Sequence, residues 1–134
     1  FMDLEIIKIA SDTKNFKDIQ NFTNYSSSKN PLCGDEIHIK LIIKNQKVVD
    51  FGYQGNSCVY CQATSSLLSK KLINWTTFKV NELCDYVKNY FDQKNDNLDE
   101  KWKFLEKLLC KKNFSKKECI LLPFNALKKI VVKL

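Results

Sequence analysis

Asn30-Pro31-Leu32-Cys33-Gly34-Asp35 leads into Glu36-Ile37-His38-Ile39-Lys40-Leu41-Ile42-Ile43-Lys44. After Asn45-Gln46 the chain continues Lys47-Val48-Val49-Asp50-Phe51-Gly52-Tyr53, and then Gly55-Asn56-Ser57-Cys58-Val59-Tyr60-Cys61. From Glu36, Ile37, Ile39, Leu41 and Ile43 alternate with Glu36, His38, Lys40 and Lys44, the pattern of a half-buried strand; Ile42 is the exception. Asn45-Gln46 is a two-residue hairpin turn without the favoured glycine. Lys47 to Tyr53 is the return strand, with Val49, Phe51 and Tyr53 expected on one face. One thiol turn precedes the first strand and another follows the second. An antiparallel hairpin makes those two positions neighbours, which brings Cys33 and Asp35 towards Cys58.

Working outward, Leu4 to Ile9 reads as a short first helix ending near Ser11-Asp12. Ile19 to Tyr25 reads as a short strand or extended arm. Residues 26–31 read as a loop, because Pro31 forces Asn30 out of the helical region. Val59 to Ile73 is a helix with Ala63, Leu67, Leu68 and Ile73 available to pack. Thr76 or Thr77 can cap the next helix, whose stripe is Val80, Leu83, Cys84, Val87 and Phe91. Asn95-Asp96-Asn97 breaks it. Leu98, Trp102, Leu105 and Leu109 mark a further helix, Lys111 to Lys117 a polar connector, and Leu122 or Pro123 to Val132 the last helix, with Pro123 in its first turn. The expected fold is α+β: a small antiparallel β-sheet packed against several α-helices. No repeat or linker interrupts residues 1–134, which read as a single domain.

The totals narrow the class. A chain of 134 residues with 44% hydrophobic content is long enough for a core, and 3 glycines and 2 prolines leave little room for disordered arms. No apolar run of about 18 residues is present, so no membrane span is expected. The N-terminal stretch lacks the features of a secretory signal, which points to a cytoplasmic protein, with Met2 as the native start. The net charge is +7 and every basic residue is lysine. That suits an acidic partner surface. Sequence-reading nucleic-acid binders rely on arginine forks, so no nucleic-acid partner is expected.

The chain has 6 cysteines. A reducing cytosol disfavours disulfides, which leaves metal or sulfur chemistry as the better account of several. In Cys33-Gly34-Asp35, glycine lets the backbone bend so that a thiolate and a carboxylate face one point, and both ligate Zn²⁺. Cys58 sits before a helix, where the dipole favours the thiolate. Cys58-x-x-Cys61 reads as half of a zinc site or as a redox pair; Cys61 also reads as a small buried helix residue. Cys84 falls in the apolar stripe and reads as core. Cys110 has no partner at ligand spacing. His38, the single histidine, reads as a solvent-facing strand residue.

Three motifs together resemble a known family. Asn30-Pro31-x-Cys33-Gly34-Asp35, then Gly55-x-x-Cys58 opening a helix with Ala63-Thr64-Ser65-Ser66, then Cys119-x-Leu121-x-Pro123-Phe124 is similar to the IscU/SufU/NifU-N iron–sulfur assembly scaffolds. The resemblance spans nearly the whole chain. It implies one site made of Cys33, Asp35, Cys58 and Cys119. Glu118, not histidine, precedes Cys119, the IscU chaperone motif is absent, and the Cys58–Cys119 separation is long. These features resemble the zinc-containing SufU branch, whose members accept sulfur from a pyridoxal-phosphate (PLP)-dependent cysteine desulfurase. By that resemblance Zn²⁺ holds Cys33 as a protected thiolate, a replacement ligand from the desulfurase frees it, and Cys33 becomes the persulfide acceptor for delivery to Fe–S assembly or acceptor proteins. The alternatives are a direct scaffold, with Cys33, Cys58 and Cys119 holding a transient Fe–S cluster, and a structural zinc module that binds a partner. Cys61 stands where the family usually has serine, which leaves open whether it replaces Asp35 as a ligand.

Overall fold

The computed structural model describes residues 3–93 and 97–134. Phe1 and Met2, and Asn95 and Asp96 of the expected helix break, lie outside the described residues. The order is α1 (Leu4–Ala10), β1 (Asn24–Lys29), β2 (Glu36–Lys44), β3 (Lys47–Asn56), α2 (Val59–Lys71), α3 (Thr77–Tyr90), two 3₁₀ segments (Glu100–Leu105 and Lys111–Lys116) and α4 (Lys117–Val131). The fold is α+β, as expected. The three strands form one antiparallel sheet in the order β1-β2-β3.

Alternation puts Ile37, Ile39 and Leu41 of β2 and Phe51 and Tyr53 of β3 in the core, each fully or almost fully buried. α2 and α4 pack against the sheet, α1 lies on α2, and α3 on α4. The hairpin turn is Asn45-Gln46, with φ of 51° and 62°. Both are left-handed, as a turn matching strand twist requires, and the polar pair adopts it without glycine. β3 departs from the simple alternation. The register slips between Ile42 and Ile43, so Val48 pairs with Ile43 while Asp50 pairs with Ile42. Val49 is the extra residue of a bulge and is exposed, whereas Val48 is fully buried.

β1 corrects the expected placement: the strand runs through Ser26–Lys29, expected to be loop. Its inward residues, Ser26 and Ser28, are small and buried, opposite Ile39 and Ile37. α4 packs on this strand, and short hydroxyl side chains let the helix approach where bulky residues would hold it off. A serine run carries no apolar alternation, so periodicity misses it. At the other edge, residues 15–17 run beside β3, with Lys17 N–H donating to the Tyr53 carbonyl and Tyr53 N–H to the Asn15 carbonyl, both at 3.1 Å. That contact covers part of an otherwise open edge.

α2 buries Cys61, Ala63, Thr64, Ser65, Ser66, Leu68 and Ser69. The hydroxyls return to carbonyls, Thr64 to Tyr60 (2.8 Å), Ser65 to Cys61 (2.9 Å) and Ser66 across to Asp12 (2.7 Å). These bonds let a polar helix sit inside the protein. α3 is capped by Thr76, which accepts from Lys79 N–H, and buries the expected stripe.

The region after residue 97 differs from expectation. Leu98 to Leu109 contains 3₁₀ turns instead of an α-helix, with Trp102 at φ −111°, ψ 21°. Trp102 and Leu105 of the first 3₁₀ segment, and Leu108 and Leu109 in the turns just after it, are buried. The expected connector 111–117 is a second 3₁₀ turn ending in α4. α4 begins several residues before Leu122, and Pro123 lies in its interior. Burial of Ile120, Leu122 and Phe124 outweighs the intrahelical bond that proline cannot donate to the Cys119 carbonyl four residues back.

Candidate metal centre

The first thiol turn is the hairpin joining β1 to β2. Asn30 N–H donates to the Asp35 carbonyl and Gly34 N–H to the Asn30 carbonyl, both at 2.8 Å, and the Asn30 side chain accepts from Leu32 N–H at 3.0 Å. Gly34 has φ 78°, and a Cβ there would meet nothing within 4 Å. Glycine is thus needed for the backbone angle alone, which sets Cys33 and Asp35 on one side of the turn. Cys33 is exposed, Leu32 beside it is 93% exposed, and Asp35 is buried.

The second turn closes over the first. Glu36 pairs with Asn56 in the sheet. Gly55 has φ 147°, and a Cβ on it would collide with the Glu36 carbonyl. The close approach of the two strand ends requires glycine there. It carries the chain to Cys58, the N-cap of α2, whose backbone N–H donates to Asp35 Oδ2 at 3.2 Å. Cys119 arrives on the opening turn of α4.

One ligand atom each from Cys33, Asp35 and Cys119 lies within 4.8 Å of the other two. Cys58 flanks this trio and is half-buried; its thiol falls outside that mutual distance. Burial pushes the Cys119 thiol up strongly, and hydrogen bonding and charge from Cys58, with the Asp35 charge, act in the same direction. Several groups that become anionic crowd one place. A bound cation would relieve that repulsion. Ligands of one tetrahedral ion, bound at about 2.3 Å, sit roughly 4 Å apart, so this donor set and spacing fit a zinc ion.

The remaining cysteines are not members of this trio. Cys61 is wholly buried, and burial pushes its thiol up to about 12. Cys84 is buried in the α3 stripe. Cys110 caps the second 3₁₀ turn, with its sulfur near the Lys107 carbonyl and the Asn113 amide. His38 faces away from the trio on the outer side of the sheet, stacked on Tyr25 and bonded to Tyr25 Oη and Glu36 Oε2, both at 2.6 Å. Two features have no sequence signature. One is the bond from Cys58 N–H to Asp35. The other is Lys116, 5.8 Å from the Tyr60 ring centre, which links the approach to α4 with the first turn of α2.

Comparisons with known proteins show the family and the fold of the chain. The NifU-like N-terminal domain family matches residues 4–93, a range that includes Cys33, Asp35 and Cys58 and stops short of Cys119. The iron–sulfur cluster assembly scaffold protein IscU of Thermotoga maritima is 27% identical over 133 residues, covering 97% of this chain and 92% of the relative. An uncharacterized protein of Borreliella burgdorferi is 28% identical over 109 residues, with coverage of 81% and 72%. A putative SUF-system scaffold protein from Fervidobacterium islandicum superposes with a TM-score of 0.86 at 23% identity, covering 97% and 96% of the two chains. A NifU-like N-terminal structure from Brucella abortus gives 0.86 at 16% identity, with 98% and 92% coverage. At these identities the two structures establish the shared fold.

Proposed function

The chain belongs to the NifU-like N-terminal domain family of iron–sulfur assembly scaffolds, and on that premise we propose that it is a zinc-dependent sulfur acceptor working with a PLP-dependent cysteine desulfurase. The proposal takes residues 1–134 as one scaffold domain. The observation that carries it is the convergence of Cys33, Asp35 and Cys119 within 4.8 Å, with Cys58 beside them. These residues would hold the ion, which when bound keeps the thiols as thiolates at neutral pH.

Cys33 is the acceptor in this reading because it is the exposed member of the set, on a turn with a left-handed glycine. Cys58 and Cys119 are fixed in the first turns of α2 and α4. The Cys33 thiolate attacks the outer sulfur of a donor persulfide. A new S–S bond forms on Cys33, the donor S–S bond breaks, and the donor cysteine leaves as a thiolate; no net oxidation occurs. Asp35 accepts from Cys58 N–H and holds the second turn against the first while Cys33 moves.

A second reading is a direct scaffold, with an Fe–S cluster as cargo on Cys33, Cys58 and Cys119. It is supported by the name of the Thermotoga maritima relative, a cluster assembly scaffold. Two measurements decide between them. Metal content after aerobic and anaerobic purification should give zinc in both under the first reading and iron with sulfide in the anaerobic sample under the second. Alanine production by a partner desulfurase, with mass spectrometry of the trapped persulfide, should lose its stimulation and its label in Cys33→Ser and keep both in Cys110→Ser. Stimulation that survives Cys33→Ser overturns the acceptor assignment.

A further inference from the structure

We infer that Cys58 and Cys61 form a peroxide-sensitive dithiol, in which an intrahelical disulfide withdraws Cys58 from the metal centre. Cys58 is the N-cap of α2 and Val59 its first residue, so Cys61 is the third residue of the helix. The side chain at an N-cap projects over the backbone of that third position, the reach used in capping boxes. The two sulfurs are therefore attached where one turn of helix brings their side chains together.

Three observations give the pair this role. Cys58 makes no side-chain capping bond; its backbone N–H bonds Asp35, and its thiol, hydrogen-bonded with Cys119, also acts on the Cys61 thiol through its charge. Cys58 is half-buried, within reach of a small oxidant, whereas Cys61 is wholly buried. An accessible attacking thiol above a shielded partner protects the partner from oxidation by other routes. Gln62 Nε2 donates to the Ser57 carbonyl at 3.0 Å, which fixes the entry to the helix that carries both thiols. The antiparallel sheet β1-β2-β3 is not a thioredoxin scaffold, and the role is that of a sensor, not of an oxidoreductase.

The chemistry balances with hydrogen peroxide as oxidant. The Cys58 thiolate attacks one peroxide oxygen, the O–O bond breaks, and sulfenic acid and hydroxide form. Cys61 sulfur then displaces the sulfenic oxygen as water while its thiol proton is released. Two thiols and one peroxide become one disulfide and two waters, the thiols supplying both electrons. The disulfide rests on the thiol pair alone; its consequence for metal rests on the proposed zinc site.

The test uses the full chain, with and without bound zinc, exposed to hydrogen peroxide and mapped by non-reducing tryptic mass spectrometry. Residues 48–70 contain no lysine or arginine before residue 70, and Cys58 and Cys61 are the only cysteines in that peptide. The expected result is loss of two hydrogen masses from it, reversed by dithiol reductant and abolished in Cys61→Ser and Cys61→Ala. Zinc release to a chromophoric chelator should accompany it and be several-fold slower in both variants. A disulfide joining Cys58 to Cys119, its hydrogen-bonded neighbour, or Cys33 to Cys119, or overoxidation of Cys58 with no mass loss, overturns the proposal. Failure of the untreated Cys61 variants to bind zinc makes Cys61 a ligand and overturns it too. A wild-type chain that binds no zinc and still forms the Cys58–Cys61 disulfide refutes the zinc reading and leaves the dithiol standing.

Discussion

The Cys58 backbone N–H donates to the Asp35 carboxylate at 3.2 Å, across the gap between the two thiol turns. Asp35 is thereby both a candidate ligand and the peg that locks the start of α2 to the start of β2. The two roles separate by substitution. Asp35→Asn keeps an acceptor for the Cys58 N–H and loses the charge; zinc affinity should fall roughly 10–100-fold with little change in melting temperature. Asp35→Ala should lose the same affinity and about 1–2 kcal/mol of stability besides. Competition titration against a zinc chelator and thermal melts measure the two effects. Wild-type affinity in Asp35→Ala would remove Asp35 from the ligand set.

Metal should tie α4 to the sheet. Cys119 comes from the opening turn of α4, while Cys33 and Asp35 come from the β1–β2 turn. Ligand binding to the folded arrangement alone stabilises it. Chelation should lower the melting temperature and raise hydrogen exchange first across residues 115–124, where the Pro123 interruption already removes one helical bond. An unchanged melt and exchange pattern after full chelation would make the site incidental to the fold.

The two turn glycines should differ in cost. A Cβ on Gly34 would meet open space, so Gly34→Ala carries only the left-handed backbone term, about 1 kcal/mol. A Cβ on Gly55 would strike the Glu36 carbonyl, and Gly55→Ala should cost about 2–3 kcal/mol and displace the Cys58 turn. Urea unfolding of both variants checks the order. An equal or milder effect at Gly55 would contradict the close approach.

Alkaline stability should depend on Cys84. Burial raises its pKa from an ordinary 9.0 to about 12. A folded-state pKa above the unfolded one means that the contribution is fully present below about 9 and is lost as pH rises through about 12. Cys84→Ala should lose about 1 kcal/mol at neutral pH from packing and decline less steeply than wild type above pH 9. Lysines titrate in both proteins, so the difference between the two curves is the readout. Parallel curves would refute the assignment.

Local pattern was enough for the hairpin and the α3 stripe. Ile37, Ile39 and Leu41 must share a face because strand side chains alternate, and Val80, Leu83, Cys84 and Val87 because helix side chains repeat near every fourth residue. The neighbourhood of Cys33, Asp35 and Cys58 followed from hairpin geometry, and Gly34 and Gly55 marked the turns. Cys119 entered through motif resemblance alone, since no local rule links it to residues so far upstream.

Tertiary packing decided the rest. Ser26 and Ser28 form a strand because the β2 edge and α4 offer them a paired, covered place, which no periodicity in a serine run announces. Val48 replaces Val49 in the core because a bulge shifts the register, and bulges are set by the partner strand. Pro123 lies inside α4 because the buried face on both sides of it outweighs one missing hydrogen bond. Trp102, Leu105 and Leu108 are buried from a kinked 3₁₀ segment and the turn after it, because the core beneath them favours that path over a regular helix. The sequence by itself determined which residues prefer to be buried and which turns bend. The separation of Cys61 in the core from the Cys33–Asp35–Cys119 group depended on how α2 and α4 dock, because the side a helical thiol faces is fixed by the surfaces that close around the helix.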